Sequence, residues 1–404
     1  MSKKLNIGLF GFGVVGQGLY DIIKTKNLNL EIKKIAIKDA TKKRSLPEHY
    51  FTTDKNELLN NPEINTIIEL INDTEAAFDI VSTALKTGKN VVSASKKMIA
   101  TYLDELIALQ NEYGTSLLYE GAVCGSIPII RNLEEYYDNE LLHSISGIFN
   151  GSSNYILSKG FLENLDYASA LKQAQDLGFA ETDPISDVGG FDSKYKLVIA
   201  AAHAYGVVID PKDVFNFGIQ NLGANDIQYA REKNLKIKLV PVAKELDDAH
   251  VTLFVLPKFV TETEFLYNVE YEYNGVTVQA AFADQQFFFG KGAGGHPTGS
   301  AVLSDIAALR YDYQYEYKKT KESKGLNFTN DIELNIYLRY DNEQLVDLLD
   351  FKTINERYYS GTYKYVTGKV NLKKLIEHQD AINADNAFIA FADQLAGISL
   401  AAIV

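Results

Sequence analysis

Three glycines near the amino end restrict the fold of this chain more than any other feature. The segment KLNIGLFGFGVVGQG places Gly11, Gly13 and Gly16 directly after a predicted strand and before a predicted helix. In this spacing the first glycine allows a tight turn, the second lets the backbone approach a pyrophosphate, and the third allows close packing of helix and strand. The N–H groups at the start of the helix, at Val14 and Val15, point towards the same ligand. The pattern alone occurs by chance, but its place after the first strand of a βαβ unit indicates dinucleotide binding.

The first third of the chain alternates short apolar runs with amphipathic stretches such as VVGQGLYDIIKT and AFDIVSTALKTG. The apolar runs predict strands at KLNIGLF, LEIKKIAI, INTIIELI, KNVVSAS and TSLLYEGA. Strands and helices in this alternation form a parallel sheet covered by helices. We therefore predict an α/β chain whose residues 1–135 form a Rossmann-type, doubly wound NAD(P)-binding domain.

The segment AIKDATKKR, about 20 residues after the glycines, bears on the choice of coenzyme. An acid near the end of the second strand favours NAD, whereas nearby cations favour the 2′-phosphate of NADP. Asp39 suits ribose hydroxyls, and Lys38, Lys42, Lys43 and Arg44 suit a phosphate. For any one of these lysines, a solvated charged loop is an equally good interpretation. The sequence predicts NADP or NAD, with NADP favoured.

The middle of the chain has a mixed pattern, which predicts an α+β domain for substrate binding and dimerisation over residues 136–317. LHSISGIFN predicts a strand, and helices are expected around 167–177 and 194–205. Asn274-Gly275 between alternating runs predicts a two-residue hairpin, and hence a mixed or antiparallel sheet. The alternating run YDYQYEY at 311–317 is typical of an aromatic strand face or an interface.

The last part of the chain follows a polar, charged stretch, KKTKESKG at 318–325, which predicts a flexible linker. Beyond it, IELNIYLRY, FKTINERYY, TYKYVTGKV and AFIAFAD predict four strands, with short helices around 343–349 and 372–378. This order predicts a small β-α-β-β-α-β domain over residues 331–404.

Composition excludes several function classes. A chain of 404 residues with a net charge of −13 repels nucleic acid and anionic membranes, because phosphate binding needs clustered Lys and Arg. The chain has no apolar leader and no run approaching eighteen apolar residues, so we expect no membrane partner and a cytoplasmic location. The single cysteine, Cys124, rules out an internal disulfide and a multi-cysteine metal site.

Charged residues crowd the segment GFAETDPISDVGGFDSKYK just before the apolar run LVIAAAHA. Asp192 and Lys196 are four apart, so they share one face of a predicted helix. An exposed ion pair would explain that spacing equally well. The apolar run argues instead that Lys196 is partly desolvated, which favours the neutral amine and makes proton exchange possible. Nearby carboxylates would suit a substrate with an ammonium group.

Three further segments are candidates for ligand contact. Lys96 follows the strand KNVVSAS, and ligands of open parallel sheets lie at strand carboxyl ends. Gly151 and Ser152 in GIFNGSSNYIL suit backbone approach to a carboxylate, although an ordinary turn capped by Ser or Asn fits too. FFFGKGAGGHPTGSAVLSDIAALR is a second glycine-rich loop before a helix, and we expect it to close over the cofactor.

Six motifs in order resemble those of the homoserine dehydrogenase family. They are GFGVVGQG, SASKK, YEGAVCGSIPII, GIFNGSSNYIL, GFAETDPISDVGGFDSKYK and GKGAGGHPTGSAVLSD, within residues 5–312. The resemblance implies an enzyme that interconverts L-homoserine and L-aspartate 4-semialdehyde with NAD(P), in threonine and methionine biosynthesis. It also implies a homodimer or higher homo-oligomer built through the sheet of the second domain.

The resemblance assigns roles by position. Lys196 and Lys96 match the two active-site lysines, with Asp192 beside the first. The substrate-side positions are Glu181, Asp187, Gly151 and Ser152, with Asp187 as the partner of the ammonium group. The cofactor positions are Gly11, Gly13, Val14, Val15, Gly16, Lys38, Asp39, Ser95, Gly292 and Gly294.

A monovalent cation site, usually sodium, is also implied by the resemblance. Its ligands would be Glu120 and the main-chain carbonyls of Val123, Gly125 and Ile127. Hard oxygen ligands suit such an ion. A charge at a strand end is the alternative interpretation of Glu120.

The chain departs from the family pattern at several points. Phe179 stands where some members have a tyrosine that touches substrate, Cys124 replaces a small residue, and Ser152 replaces a threonine. The tail resembles the family's ACT-type regulatory domain only loosely, because the expected Pro-Gly turn after its first strand is absent. Two alternatives stay open from the residues alone: another Rossmann-type amino-acid dehydrogenase, and a nucleotide-sensing protein without catalysis.

Overall fold

The computed structural model describes residues 3–26, 28–138, 141–247, 249–322, 325–392 and 398–400. Contacts between residues divide the chain into two compact units. Unit 1 comprises Met1–Asn139, Ala202–Val208 and Gly290–Lys321, and unit 2 comprises Glu140–Ala201, Ile209–Phe289 and Glu322–Val404. The domain bounds 1–135, 136–317 and 331–404 stay a prediction. The last of these segments lies within unit 2.

Eighteen strands are present in the described residues. They are β1 Leu5–Phe10, β2 Leu30–Ala36, β3 Phe51–Thr52, β4 Thr66–Glu69, β5 Asn90–Ser93, β6 Leu117–Leu118, β7 Leu142–Ile148, β8 Phe215–Asn216, β9 Lys236–Asp247, β10 His250–Val260, β11 Tyr273–Ala280, β12 Gln285–Lys291, β13 Asn327–Phe328, β14 Ile332–Arg339, β15 Thr353–Tyr359, β16 Lys364–Asn371, β17 Phe388–Phe391 and β18 Ser399–Leu400. Ten of the predicted strands, the five of the first third, LHSISGIFN and the four of the tail, are found among them.

Sixteen α-helical segments are present in the same residues. They are α1 Val14–Thr25, α2 Asn56–Leu59, α3 Thr74–Lys86, α4 Lys96–Thr101, α5 Leu103–Tyr113, α6 Ile129–Arg131, α7 Gly151–Glu163, α8 Tyr167–Asp176, α9 Ile185–Val188, α10 Phe191–Tyr205, α11 Ala224–Glu232, α12 Gly295–Leu309, α13 Lys318–Glu322, α14 Gln344–Leu349, α15 Leu372–Glu377 and α16 Gln379–Ala384. Short 3₁₀ turns occur at Glu48–Tyr50, Glu120–Ala122 and Phe265–Asn268, and a π-helical turn at Asn132–Tyr136. None of the described helices is long and apolar enough to cross a membrane.

Unit 1 contains a six-stranded sheet in the order β3-β2-β1-β4-β5-β6, with every pairing parallel. The central strands are buried on both faces, as their Val, Ile and Leu content requires. The order reverses direction next to β1, which is the arrangement of a Rossmann sheet, so the predicted fold is confirmed. The glycine-rich turn after β1 therefore lies at the point where this fold binds ligands.

Unit 2 contains a mixed sheet in the order β12-β11-β7-β9-β10-β17-β14-β16-β15. β7, β9, β10 and β11 form antiparallel pairs, whereas β17 pairs in parallel with β10 at Phe391 and Lys258. The tail elements follow the predicted β-α-β-β-α-β order, with α16 and β18 as additions. The tail thus extends the same sheet, and its ACT-like identity stays a prediction.

The predicted hairpin at Asn274-Gly275 is wrong. Both residues lie inside β11, and neither has the positive φ that a two-residue hairpin turn requires. Gly275 is small for another reason: a Cβ there would lie 2.7 Å from the ring of Phe287. This glycine therefore allows close packing between strands.

The flexible linker and the aromatic strand also differ from prediction. Lys318–Glu322 of the linker is helical, and its residues 323 and 324 lie outside the described residues. Residues 311–317 lie in no strand. Tyr317 is instead buried, with its hydroxyl 2.9 Å from the hydroxyl of Tyr119 and its N–H donating to Glu134. Tyr315 and Tyr317 of the run are therefore core residues of unit 1, whereas Tyr311 is exposed.

Candidate active site

The glycine-rich turn of unit 1 leaves an open space beside the start of α1. Gly11 has a φ of +92°, and a Cβ on it would lie 2.6 Å from the carbonyl oxygen of Leu70. A Cβ on Gly16 would lie 2.5 Å from the carbonyl oxygen of Gly11. At Gly13, by contrast, a Cβ would meet nothing within 4 Å. Gly11 and Gly16 are required by the fold, whereas Gly13 borders room for a ligand, as in a pyrophosphate site.

A cavity of about 780 Å³ lies beyond the end of β2. Lys42, Lys43 and Arg44 line it, together with apolar residues such as Phe51. The guanidinium of Arg44 donates to the carbonyl oxygens of Asp39 and Lys42 and lies 5.3 Å from the centre of the Phe51 ring. The cavity therefore combines an aromatic wall with three cations, which suits a phosphorylated nucleoside.

The carboxylate of Asp39 accepts hydrogen bonds from within its own loop. Its Oδ1 accepts from the N–H and the hydroxyl of Thr41, and these bonds lower the pKa of the carboxyl below its usual value. Lys38 and Asp39 are not among the cavity-lining residues in this part of the described chain. The structure therefore favours the cations after Asp39 over Asp39 itself as ligand contacts.

The second glycine-rich loop packs against the first within unit 1. Gly294 has a φ of +118° and precedes α12, and a Cβ on Gly295 would lie 2.8 Å from the carbonyl oxygen of Val14. Gly292 lies against Gly125, where a Cβ on Gly125 would come within 2.6 Å of its carbonyl. Cofactor contact by Gly292 and Gly294 stays a prediction, although their loop lies beside the start of α1.

Lys96 and Ser95 lie at the start of α4, after β5. Ser95 is the residue before the helix, and its hydroxyl lies 2.8 Å from the carbonyl oxygen of Ile71. Lys96 is the first residue of the helix and is half-buried. Both positions are at the carboxyl edge of the parallel sheet, where the sequence places them. Their roles stay predictions.

A compact polar cluster forms in unit 2 around Lys196 of α10. Its ammonium group lies 2.6 Å from Oδ2 of Asp192 and 2.6 Å from the carbonyl oxygen of Phe149. The side-chain amide of Asn150 donates to the same Oδ2 of Asp192 at 2.9 Å and to Oδ1 of Asp187 at 2.7 Å. Lys196, Asp192 and Asn150 are all buried. The predicted pairing of Asp192 with Lys196 is confirmed as a geometry.

The cluster leaves hydrogen-bonding capacity for a ligand. An ammonium group has three protons, and the described residues engage two of those on Lys196. Asp187 and Asp192 both accept from the Asn150 amide beside Lys196, so the cluster offers carboxylate acceptors that suit an ammonium group. Asp187 is its half-buried member, and it faces outward more than Asp192 does. The arrangement can bind an ammonium group and exchange a proton in the same place.

The amino end of α7 borders this cluster. Oδ1 of Asn150 caps the helix by accepting the N–H of Ser153 at 2.8 Å. The N–H groups of Gly151 and Ser152 have no hydrogen-bond partner in the described chain, so they can bind an anion. Gly151 is also required by packing, since a Cβ there would lie 2.5 Å from the carbonyl oxygen of Glu272. The Ser152 hydroxyl donates to the carbonyl of Phe179.

Not every predicted residue joins the cluster. Glu181 is exposed, and the described residues give its carboxylate no hydrogen bond. Lys194 is buried, which lowers its pKa to about 8, and the charge of Asp210 opposes this shift. Asn150, which joins both carboxylates, was missed by the sequence analysis. Its position at a strand end directly before Gly151 is the signal that could have indicated it.

The predicted cation ligands lie close together in the chain and are buried in unit 1. The carboxylate of Glu120 accepts the N–H groups of Ile130 and Arg131, and burial raises its pKa to about 7, helped by the charge of Asp305. Cys124 and Gly125 both have a φ of +54°, so the chain turns sharply between the predicted carbonyl ligands. A carboxylate has about four acceptor positions, so Glu120 can still bind a cation.

These residues fit a small hard cation, and the site stays a prediction. No group of three or more His, Cys, Asp or Glu side chains suited to a metal occurs among the residues that the structure describes. That search does not address a site built from one carboxylate and main-chain carbonyls.

Comparison with known proteins covers both units. A family model described as homoserine dehydrogenase matches residues 128–307, and one described as homoserine dehydrogenase, NAD binding domain, matches residues 11–120. Homoserine dehydrogenase from Bacillus subtilis (strain 168) is 35% identical over 317 residues, which are 76% of this chain and 73% of that protein.

Solved structures give the same result. A homoserine dehydrogenase from Thiobacillus denitrificans has a TM-score of 0.84 and 27% identity, and the match covers 97% of this chain and 99% of that one. A hyperthermophilic archaeal homoserine dehydrogenase mutant in complex with NADPH has a TM-score of 0.67 and 26% identity. The match covers 78% of this chain and 100% of that one.

The contrast between Gly13 and Gly16 gives a test of the dinucleotide site. We expect Gly13→Ala to keep the unfolding temperature of the ligand-free protein, because a Cβ meets nothing there, and to weaken NADPH binding about tenfold or more. Gly16→Ala should instead destabilise the ligand-free protein by roughly 1–3 kcal/mol, because its Cβ overlaps the backbone. Thermal unfolding and fluorescence titration with NADPH measure the two effects. Undiminished NADPH binding by Gly13→Ala would contradict the proposed position of the pyrophosphate.

Proposed function

The chain belongs to the homoserine dehydrogenase family, and on that premise we propose how its residues bind and convert the substrate. It is an NAD(P)-dependent oxidoreductase that acts on a CH–OH group, which decides against the two alternatives left open by the residues alone. The reaction is the reversible reduction of L-aspartate 4-semialdehyde to L-homoserine. A cytoplasmic location is part of the proposal. The polar cluster at Lys196 is the observation that carries the residue assignments.

The cluster in unit 2 holds the amino-acid part of the substrate. Asp187 binds the ammonium group, because it is the less buried of the two carboxylates that accept from the Asn150 amide. The unpartnered N–H groups of Gly151 and Ser152 bind the carboxylate at the amino end of α7. Glu181, which is exposed, remains a proposed substrate contact by the resemblance.

Lys196 is the first candidate for proton transfer. When bound, the reduced nicotinamide supplies the hydride that the aldehyde carbon accepts. The ammonium group of Lys196 donates the proton that the new alkoxide oxygen requires, and the neutral amine takes it back in the reverse direction. Asp192 and the Phe149 carbonyl hold the ammonium group by two hydrogen bonds, so Asp192 positions the proton donor. Lys96 is the second candidate and contributes electrostatically.

We expect Lys196→Met to lower kcat by about 10²–10⁴, the usual contribution of a positioned acid or base, with the Kd for NADPH within about twofold of wild type. The matched control is Lys194→Met on the same helix, which should retain kcat. Lys196→Met alone leaves the buried Asp192 carboxylate without its ion-pair partner, which lowers stability. The double variant Lys196→Met, Asp192→Asn removes that carboxylate too, so comparing the two variants separates loss of the amine from loss of stability. Steady-state kinetics with circular dichroism provides the measurement. Wild-type kcat in a folded Lys196→Met variant would exclude Lys196 as the proton donor.

NADP is the proposed coenzyme. Three cations line the cavity after β2, whereas the Asp39 carboxylate is engaged by Thr41. A 2′-phosphate would gain charge-assisted hydrogen bonds there that a ribose hydroxyl cannot make. The NADPH complex of the archaeal relative is consistent with this choice.

Homoserine oxidation measured side by side with NADP and NAD tests both the activity and the coenzyme. We expect the double variant Lys42→Gln, Lys43→Gln to lower kcat/KM for NADP about tenfold or more and to leave kcat/KM for NAD unchanged. Lys86→Gln, at an exposed lysine in the last turn of α3 and outside the cavity lining, is the control. An equal decrease of kcat/KM with both coenzymes would show that the two lysines do not bind the 2′-phosphate.

The proposed cation would be held by Glu120 and by the carbonyl groups of Val123, Gly125 and Ile127. It would supply positive charge next to two buried carboxyls, Glu120 and Asp305, whose pKa values burial raises to about 7 and about 6. Its effect would therefore be on the stability of this turn, and the residues of the polar cluster perform the proton transfer without it.

A homodimer through the sheet of unit 2 completes the proposal. β12 is the last strand at one end of the sheet. Phe289 on this strand is 56% exposed, and Phe282, just before it, is 77% exposed. An open edge with exposed aromatic side chains is a surface that proteins normally cover. A second copy of the chain would cover it.

We expect sedimentation to give a mass of two chains, and Phe282→Glu to shift it towards one chain. Tyr359→Glu is the matched control, because Tyr359 is also exposed but lies on β15 at the opposite end of the sheet. A wild-type mass of one chain at micromolar concentration would contradict the dimer.

A further inference from the structure

A fully buried carboxyl group lies at the carboxyl edge of the unit 1 sheet, where no role has been assigned. Glu69 ends β4, between Phe10 of β1 and Ser93 of β5, and its exposed fraction is 0%. Its Oε2 accepts from the Ser93 hydroxyl at 2.6 Å, and its Oε1 accepts from the N–H of Ile71 at 2.7 Å. The charged residue therefore ends an otherwise apolar strand without exposure to water.

The hydroxyl of Ser95 has two acceptors within reach, and this geometry bears on the form of the carboxyl. Its Oγ lies 2.8 Å from Oε1 of Glu69 and also 2.8 Å from the carbonyl oxygen of Ile71. A hydroxyl has one proton, so it can donate to only one of these acceptors. Both contacts are hydrogen bonds if Glu69 is protonated on Oε1 and donates to Ser95, which in turn donates to Ile71.

The surroundings of Glu69 agree with a neutral group. Burial raises the pKa of its carboxyl, and hydrogen bonds from Ser93, Ile71 and Ser95 oppose the shift. β1 and β5, which pair with β4, carry no titratable side chain. The charged residues of the helices after β4 and β5 are Asp73, Glu75, Asp79 and Lys86 at α3, and Lys96, Lys97, Asp104, Glu105 and Glu112 at α4 and α5. Asp73 caps α3, and Glu75 accepts from the Tyr102 hydroxyl.

The hydrogen bonds of Glu69 connect the loops that border the dinucleotide site. The chain after β4 reaches the glycine-rich turn, since Leu70 limits the space beside Gly11. The chain after β5 contains Ser95 and leads directly into Lys96. When Glu69 is protonated, hydrogen bonds from Glu69 to Ser95 and from Ser95 to Ile71 join the loop after β4 to the loop after β5.

We infer that Glu69 is a neutral carboxylic acid that positions Ser95, and with it the start of α4 at Lys96, for dinucleotide binding. Glu69 is a positioning residue, because it acts through Ser95 and Ile71. The inference rests on the proposed function only in taking this edge of the sheet as the cofactor site.

The first experiment uses the ligand-free chain. The infrared difference spectrum of wild type minus Glu69→Gln should contain the C=O band of a protonated carboxylic acid at a pH above the usual carboxyl range. Because a raised pKa means that the folded protein holds a proton that the unfolded chain releases, the stability of wild type should fall relative to Glu69→Gln as pH rises above the usual carboxyl range. A difference spectrum with only carboxylate bands would overturn the inference.

The second experiment measures the Kd for NADPH across pH. Glu69→Gln, whose amide can also donate to Ser95, should bind NADPH within about twofold of wild type at low pH and should lose less affinity as pH rises. Glu69→Ala should raise the Kd about tenfold, as for a lost buried hydrogen bond. Glu75→Gln, an exposed carboxyl-to-amide change, is the control and should have the wild-type pH profile.

Two results would overturn the positioning role. One is wild-type affinity in Glu69→Ala. The other, which holds even if Glu69→Ala does not fold, is the same pH dependence of Kd in wild type and Glu69→Gln. Homoserine oxidation by Glu69→Gln is measured in parallel, so that loss of the positioning role with activity retained leaves the proposed function standing.

Discussion

The amide of Asn150 is the contact on which the substrate side depends. It holds Asp187 and Asp192 at 2.7 and 2.9 Å from one nitrogen, although two unit charges about 5 Å apart repel by roughly 3 kcal/mol at an effective dielectric constant of about 20. Lys196 offsets this repulsion on Asp192. Asn150 also caps α7. One side chain therefore fixes both acids and the helix end that is proposed to bind the substrate carboxylate.

Much of the fold could be predicted because its signals are local. The glycine spacing and the regular alternation of strands and helices indicate a Rossmann sheet, and the observed strand order agrees. The pairing of Asp192 with Lys196 was also predictable, since one helical turn brings positions four apart together. The cation ligands Glu120, Val123, Gly125 and Ile127 came only from the resemblance, and three of them would bind through main-chain carbonyls, which leave no mark in residue type.

The rest depended on contacts between distant parts of the chain. Asn274-Gly275 has the composition of a turn, but pairing with β7 and packing against Phe287 keep it in a strand. Asn150 and Glu69 could not be assigned, since an asparagine before a helix and an acid at a strand end each have ordinary explanations. Only the positions of Asp187, Ser93 and Ser95, which are far away in sequence, show what these two residues hold.

One edge of β10 is shared by three short strands from different parts of unit 2. Phe215–Asn216 pairs near its middle, Asn327–Phe328 near its start, and Phe391 opposite Lys258 near its end. Two of these three pairing segments come from beyond residue 320. The tail is therefore an integral part of this sheet. Without it, main-chain N–H and C=O groups along this edge of β10 would lose their strand partners.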